Sequence, residues 1–321
     1  MAPDVDSRRL ETIFFPYAES RTAAIKKEGW RFVYYTQAAV ATSILKSRQI
    51  WLRNALVMND FREIAHGFDC LNAAYEGAAG DVFKAALASC FADLPQLVEA
   101  KFNALLPSIR GETYLYCVSE HSASEDLSGR LSMWRAYGGS TGVAMVINGA
   151  VMHGASNVVG AYSSPVYYAN APEFAQAFMK VALGIQSEVA YLQSLGIEAV
   201  TNVVFQMMRY AVLCTKHPGF REEREWRVIA SPTIHPGGRN ESVVEVVRGV
   251  PQIVVKIDLR NEPDRGLTDL ALPELLDRII IGPCEFPLIT ALAFQNLLSE
   301  AGIPNPYERV VMADIPLRHD A

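Results

Sequence analysis

The chain has 321 residues, of which 50% are hydrophobic and 20% are charged, with a formal net charge of −6. This composition is typical of a packed globular protein and excludes a disordered one. The acidic balance argues against a broad nucleic-acid-binding face, which needs an excess of basic residues.

The cysteines and the N-terminus favour a cytoplasmic location. The five cysteines lie far apart without a Cys-x-x-Cys pair, which argues against a disulfide framework and a structural zinc site. The N-terminus lacks the pattern of a signal peptide, and polar residues interrupt the most apolar run, residues 143–162. We therefore expect a cytoplasmic protein with no membrane partner.

The first half of the chain combines aromatic strands with Ala-rich helices. Residues 1–29 predict a lead-in of helix or loop, residues 30–36 predict a strand, and residues 38–46 predict a helix that Thr36 could cap. The other elements predicted here are a strand at 49–52, two or three helices within 61–106, a strand at 113–119, a short helix at 133–137 and a strand at 142–147.

The second half continues in the same manner. Its predicted elements are one or two strands within 158–168, helices at 172–196 and 198–214, strands near 226–229 and at 243–247, 253–257 and 279–282, and a helix at 287–302. Strand clusters interrupted by helical blocks, without regular βαβ alternation, indicate the α+β class. We predict a single α+β domain at 30–321, with helical insertions at about 61–110 and 172–214.

The stretch KHPGFREEREWRVI, residues 216–229, combines carboxylates with arginines. Alternate side chains of a strand share a face, so Glu223, Glu225 and Arg227 are expected on one face, with the two carboxylates about 7 Å apart. A solvated, salt-bridged edge strand is the alternative to an acidic site. Trp226 favours burial of the other face.

Short catalytic motifs such as the P-loop, G-x-G-x-x-G, H-E-x-x-H and G-x-S-x-G do not occur. Sites tend to be built at strand ends and their loops, where aromatic rings could stack on a flat heterocycle. The polar and aromatic residues at such positions are Tyr34, Tyr35, Thr36, Asn59, Asp60, Ser119, Trp134, Tyr137, Glu223 and Glu225.

Five stretches, in order from about residue 30 to residue 302, resemble the bacterial domain-of-unknown-function family 2971. They are FVYYTQAAVATSILKSRQIWL with the following MND, YCVSEHS, LSMWRAYGGSTGVAMVI, FREEREWRVI and DRIIIGPCEFPLITALAFQNLLSEAGI. One departure is Phe61, where the family tends to have proline.

That family in turn resembles the ADP-ribosyltransferase superfamily, which implies a split β-sheet core carrying the two helical insertions. Ser119 resembles the serine of the superfamily's arginine–serine–glutamate pattern. Glu223-Arg224-Glu225 resembles its E-x-E motif, in which the second glutamate is catalytic. The resemblance therefore implies that Glu225 is catalytic and that Glu223 orients the substrate.

The same resemblance implies NAD as the substrate and suggests which residues bind it. Tyr35, with Tyr137 or Trp134, would enclose the nicotinamide ring, and Ser119 or Asn59 would hold ribose or amide groups. The full set of implied cofactor-binding residues is Tyr34, Tyr35, Thr36, Asn59, Ser119, Trp134 and Tyr137. The first strand departs from the superfamily, because Tyr34 or Tyr35 stands where an arginine or histidine is usual.

The resulting expectation is an NAD-dependent ADP-ribosyltransferase or NAD glycohydrolase, as a toxin or anti-phage defence effector, that needs no metal. The acceptor would be a protein, a nucleic acid or water. One alternative is a metal-dependent nuclease in which Asp60, Glu223 and Glu225 hold Mg²⁺. Another is a non-catalytic binding or regulatory protein whose acidic strand is a salt-bridged edge.

Overall fold

The computed structural model describes residues 5–58, 63–153 and 156–315. The chain divides into two compact units, each assembled from three separate segments. We call them the helical unit (Met1–Ala24, Ala55–Thr113 and Ser164–Arg221) and the sheet unit (Ile25–Asn54, Tyr114–Ser163 and Glu222–Ala321).

The described residues contain twelve strands and thirteen α-helices. The strands are β1 (Arg31–Gln37), β2 (Gln49–Asn54), β3 (Tyr114–Glu120), β4 (Thr141–Asn148), β5 (Tyr162–Pro165), β6 (Tyr167–Tyr168), β7 (Thr215–Lys216), β8 (Glu225–Ala230), β9 (Glu241–Val247), β10 (Val250–Asp258), β11 (Leu276–Cys284) and β12 (Val310–Met312). The helices are α1 (Val5–Phe14), α2 (Pro16–Lys27), α3 (Ala38–Ser47), α4 (Glu63–Glu76), α5 (Ala78–Cys90), α6 (Leu94–Gly111), α7 (Leu131–Met133), α8 (Ser156–Val159), α9 (Ala171–Ser187), α10 (Val189–Leu195), α11 (Ile197–Leu213), α12 (Leu272–Leu275) and α13 (Pro287–Glu300).

The sheet unit is built on one mixed, largely antiparallel sheet. Its strands follow the order β12-β11-β4-β1-β3-β2-β10-β9, and only the β11–β12 pair in this order is parallel. The strand β8 pairs with β3 over its whole length and also pairs with β5. Because β1 and β2 pair with opposite ends of β3, the sheet forks at β3.

The two faces of this sheet pack different side chains. In β1, Val33 and Tyr35 lie in a small apolar cluster with Trp134, whereas Phe32 and Tyr34 belong to or pack against the main core on the opposite face. Burial on both faces explains why β1 and β3 show no apolar–polar alternation in sequence. The main-core face also holds a cavity of about 80 Å³ with a largely apolar lining.

The helical unit packs α4 against α5, α9 and α11, and α6 against α5 and α11. Phenylalanine pairs join these helices, for example Phe83 of α5 with Phe178 of α9 at a ring-centroid distance of 4.6 Å. The helix α9 begins with a capping box, because Asn170 Oδ1 accepts from the Glu173 amide at 3.0 Å and Glu173 accepts from the Asn170 amide at 2.9 Å.

The α+β class is confirmed, as are the main strands and helices within the described residues. Three local expectations were wrong or incomplete. Thr36 does not cap α3, since it lies inside β1 and the cap position is Gln37. The lead-in, for which helix or loop was expected, contains the two helices α1 and α2, and the short strands β7 and β12 were missed. The single-domain organisation and the likeness to an ADP-ribosyltransferase core stay predictions.

Candidate functional site

Three strands meet at Ser119, near the end of β3. Ser119 lies opposite Val33 of β1 on one side and opposite Glu225 of β8 on the other. Directly opposed residues of antiparallel strands share a face of the sheet. The structure therefore brings the first predicted strand, the serine and the acidic stretch together at one point of the sheet unit.

Arg130 is the central cation of this point, and the sequence analysis did not select it. Its guanidinium donates hydrogen bonds to Ser119 Oγ, to the Glu222 carbonyl and, at 2.9 Å, to the Glu120 carbonyl. Its Nε lies 3.0 Å from Glu125 Oε1. Burial lowers the pKa of Arg130, but an arginine remains charged at neutral pH. A fixed positive charge thus stands beside Ser119.

The prediction that Glu223 lies on the strand with Glu225 is wrong. Glu223 ends the 3₁₀ helix Pro218–Glu223, and β8 begins two residues later, at Glu225. The break occurs at Arg224, whose positive φ of 44° is a left-handed conformation that is costly for a residue with a side chain. The Glu223 carboxylate is half-buried and accepts a hydrogen bond from the Tyr137 hydroxyl at 2.9 Å.

Glu225 and Arg227 share one strand face, as predicted, and form an ion pair. Arg227 Nε donates to Glu225 Oε1 at 2.9 Å, and the two side chains are 0% and 7% exposed, respectively. Because both side chains are buried, the alternative of a solvated edge strand is wrong for this pair. A buried charge of this kind depends on its partner for stabilisation. Trp226 is also buried, on the opposite face, where its ring contacts Phe32.

The predicted aromatic residues divide between the two faces. Tyr35 lies on the Ser119 face, and its ring packs edge-on against Trp134 at a centroid distance of 4.9 Å. Its hydroxyl accepts a hydrogen bond from the Arg130 amide at 2.8 Å, and burial raises its pKa. Both rings are buried, so a nicotinamide ring would enter between them only after they separate. Their role in binding a cofactor stays a prediction.

Tyr34 and Thr36 point to the opposite face. The ring of Tyr34 packs against Tyr116 at a centroid distance of 4.6 Å, and burial raises the pKa of its hydroxyl. Thr36 is buried beside it and hydrogen-bonds to it. The structure thus does not bring these two residues together with Ser119. Asn59 and Asp60 lie outside the described residues.

We define the Ser119 site as Ser119, Arg130, Tyr137, Glu223 and Glu225. Sequence reasoning selected four of these residues but missed Arg130, because it lies in a loop that shows no strand or helix pattern. A usable signal was the position of Arg130 directly before the family-like stretch that begins at Leu131.

Glu125 and its neighbours form a group of ion pairs and hydrogen bonds next to the Ser119 site. Glu125 is buried and pairs through Oε1 with both Arg130 and Arg224. His121 Nδ1 lies 3.7 Å from Glu125 Oε2, and His121 Nε2 lies 2.9 Å from Asp126 Oδ1. Burial lowers the pKa of His121 despite these two carboxylates. A neutral His121 therefore donates from Nε2 to Asp126.

Asp126 connects this group to the strands β1 and β11. It accepts a hydrogen bond from Arg31 at 2.8 Å and lies 3.3 Å from Arg278. Burial alone raises the pKa of Asp126, but the hydrogen bonds from His121 and Arg31 more than offset this, so that its pKa is lowered.

The described residues contain no group of three or more His, Cys, Asp or Glu side chains placed to hold a metal ion. Within the same residues, no helix is both long enough and apolar enough to cross a bilayer.

Residues 133–228 match the model of a family described as "Protein of unknown function (DUF2971)". This segment includes Trp134, Tyr137, Glu223 and Glu225, so the match supports the predicted resemblance there. No curated protein and no solved structure matches the chain. The resemblance of the stretches outside 133–228 stays a prediction.

Proposed function

We propose that the chain cleaves NAD at the Ser119 site, as an ADP-ribosyltransferase or an NAD glycohydrolase. The observation that carries the proposal is the register at β3. Ser119 is paired with β1 on one side and with Glu225 on the other. The three segments whose resemblance implies this activity thus contribute to a single location.

Cleavage of the nicotinamide–ribose bond of NAD requires a carboxylate and hydrogen-bonding groups beside the ribose. The bond between ribose C1′ and the nicotinamide nitrogen breaks, and its electron pair stays with that nitrogen, which leaves as neutral nicotinamide. Positive charge develops on the ribose, as in glycoside hydrolysis, and a nearby carboxylate stabilises it. Water or another acceptor then forms the new bond to C1′ and gives its proton to a carboxylate.

The two glutamates suit these roles in different ways. Glu225 faces Ser119 through the strand register and is held by Arg227, so it is fixed in place to hydrogen-bond a ribose hydroxyl. Glu223 is more accessible, and the Tyr137 hydroxyl orients its carboxylate. We assign Glu223 to the acceptor side of the ribose.

Arg130 supports the proposal at the point where the sequence departs from the superfamily. Tyr34 or Tyr35 of the first strand stands where the superfamily has an arginine or histidine, and the Tyr35 hydroxyl accepts a hydrogen bond from the backbone amide of Arg130. The loop that follows β3 places the guanidinium of Arg130 beside Ser119. A cation at this position favours an anionic substrate such as NAD.

The test is release of nicotinamide from NAD by the full chain in the presence of EDTA. We expect release by the wild type and a fall of at least about 100-fold, the usual range for removing an acid–base or electrostatic group, in Glu225→Gln and in Glu223→Gln. Glu241→Gln, which changes an exposed glutamate of the sheet unit, should keep full activity.

Two variants are needed because Glu225→Gln also removes the partner of Arg227. Glu223→Gln leaves the Glu225–Arg227 pair intact, and circular dichroism would check the folding of both. Equal rates for the wild type and both folded variants would contradict the assignment. As a toxin or anti-phage effector, the wild type should also express poorly in cells and Glu225→Gln should restore expression.

A further inference from the structure

An open cleft of about 550 Å³ borders the Ser119 site within the sheet unit. We call it the arginine cleft; its lining residues are Arg130, Leu131, Ser132, Arg135, Glu222 and Arg224. Pockets for small molecules have volumes of about 300–1,000 Å³. The cleft is therefore large enough to accept a ligand of nucleotide size.

The three arginines differ in how firmly they are held. Arg130 is fixed by Ser119, two backbone carbonyls and Glu125. Arg224 is half-exposed and pairs with the same Glu125. Arg135 is exposed on the short π-helix Trp134–Gly138 and makes no hydrogen bond or ion pair with any residue that the structure describes. Two guanidiniums are thus held by one buried carboxylate, and a third remains available to a ligand.

The lining favours a particular chemistry. Guanidinium groups bind phosphate oxygens in a planar, two-point geometry. Glu222 adds an exposed carboxylate, which repels a bare polyanion but accepts hydrogen bonds from hydroxyl groups. The net charge of −6 also disfavours a nucleic-acid strand. A molecule with both a phosphate and a sugar diol satisfies both kinds of group.

We propose that the arginine cleft binds the ribose-phosphate part of a small nucleotide, with the phosphate on Arg135 and Arg224 and the sugar hydroxyls on Glu222. The choice of ADP-ribose as the nucleotide rests on the proposed function. Binding in the cleft does not require that NAD be cleaved. The side chain of Arg135 is then a specificity determinant for phosphate, while Arg130 forms the fixed base of the cleft.

Isothermal titration of the full chain with ADP-ribose tests this inference. We expect saturable binding that ribose 5-phosphate displaces and ribose does not. Arg135→Gln and Arg224→Gln should each weaken binding by about tenfold or more, as expected for loss of one charge-assisted contact. Arg260→Gln, which changes an exposed arginine outside the cleft, is the matched control and should bind like the wild type.

Absence of ADP-ribose binding by the wild type would overturn the inference, as would unchanged affinity in both arginine variants. Stronger displacement by a single-stranded oligonucleotide than by ribose 5-phosphate would also overturn it, in favour of a nucleic-acid ligand. The two proposals fail separately. Arginine-dependent ADP-ribose binding without nicotinamide release refutes only the enzyme, and nicotinamide release with unchanged binding in the variants refutes only the cleft.

Discussion

At the scale of single residues, the Ser119 site is defined by how its charges are paired. Glu225 and Arg227 are buried together, Glu125 holds two arginines, and His121 lies between Glu125 and Asp126. The sequence shows the presence of these charges, but not which cation meets which carboxylate. Arg130 is missed for that reason, since its partners Ser119 and Glu222 lie on other parts of the chain.

The Glu225–Arg227 pair makes a prediction about stability. Arg227→Met removes the cation and leaves a buried carboxylate without that partner, which costs about 3–5 kcal/mol in comparable pairs. We expect a loss of this size in the free energy of unfolding by urea. The double variant Glu225→Gln/Arg227→Met should recover part of it. A cost below about 1 kcal/mol for the single variant would show that the pair is not stabilised as described.

His121 predicts a pH dependence of folding. Burial lowers its pKa in the folded protein, whereas in the unfolded chain histidine has its ordinary pKa of about 6.5. The unfolded state therefore takes up more protons below pH 6.5. The contribution of neutral His121 to the free energy of unfolding should be fully present above pH 6.5 and decrease as the pH drops below it. Each unit by which the pKa is lowered corresponds to about 1.4 kcal/mol.

Urea unfolding measured between pH 7.5 and pH 5 would test this dependence. His121→Gln should flatten the curve in that range, because its side chain does not titrate. Asp126 contributes the same sign only at lower pH, since its pKa is lowered from a carboxyl value. The same slope in the wild type and His121→Gln would assign the effect to another group.

At the scale of elements, residues of two family-like stretches pack against each other around Trp134. Trp134 is buried, and its indole donates to the Ser128 carbonyl at 2.7 Å. A side chain on Gly282 of β11 would lie 2.7 Å from the Trp134 ring, and one on Gly142 of β4 would lie 3.2 Å from it. The motifs LSMWRAYGGSTGVAMVI and DRIIIGPC thus meet at one aromatic ring.

This packing predicts that Gly282→Ala is destabilising. The added methyl group meets the Trp134 ring and the Gly142 carbonyl, and overpacking of this kind costs about 1–3 kcal/mol. Thermal unfolding would measure the loss. Gly111→Ala is the control, because nothing lies within 4 Å of its added carbon, and at the end of helix α6 it should leave stability unchanged or raise it by up to about 1 kcal/mol. No loss of stability in Gly282→Ala would contradict the close approach of Trp134.

Local pattern predicted most elements because β-branched and aromatic runs form strands and Ala-rich runs form helices wherever they occur. It failed where tertiary contacts decide the conformation. The three residues of β12 are ordered by parallel pairing with β11. Glu223 looked like a strand residue, but the left-handed Arg224 ends the 3₁₀ helix before β8 begins.

At the scale of the whole molecule, the sequence predicted the α+β class, and only the resemblance to the ADP-ribosyltransferase superfamily implied that Ser119 and the acidic stretch share a site. The sequence did not predict the division into a helical unit and a sheet unit, since each unit draws on three distant segments. All five residues of the Ser119 site belong to the sheet unit. The proposed chemistry therefore depends on a scaffold formed by β1, β3 and β8.

The most direct test of NAD cleavage at the Ser119 site is incubation of the pure chain with NAD in EDTA, with nicotinamide followed over time beside Glu225→Gln. We expect release by the wild type and loss of release in the folded variant. No release by the wild type, together with no change in its thermal stability on adding NAD, would contradict the proposal that the Ser119 site acts on NAD.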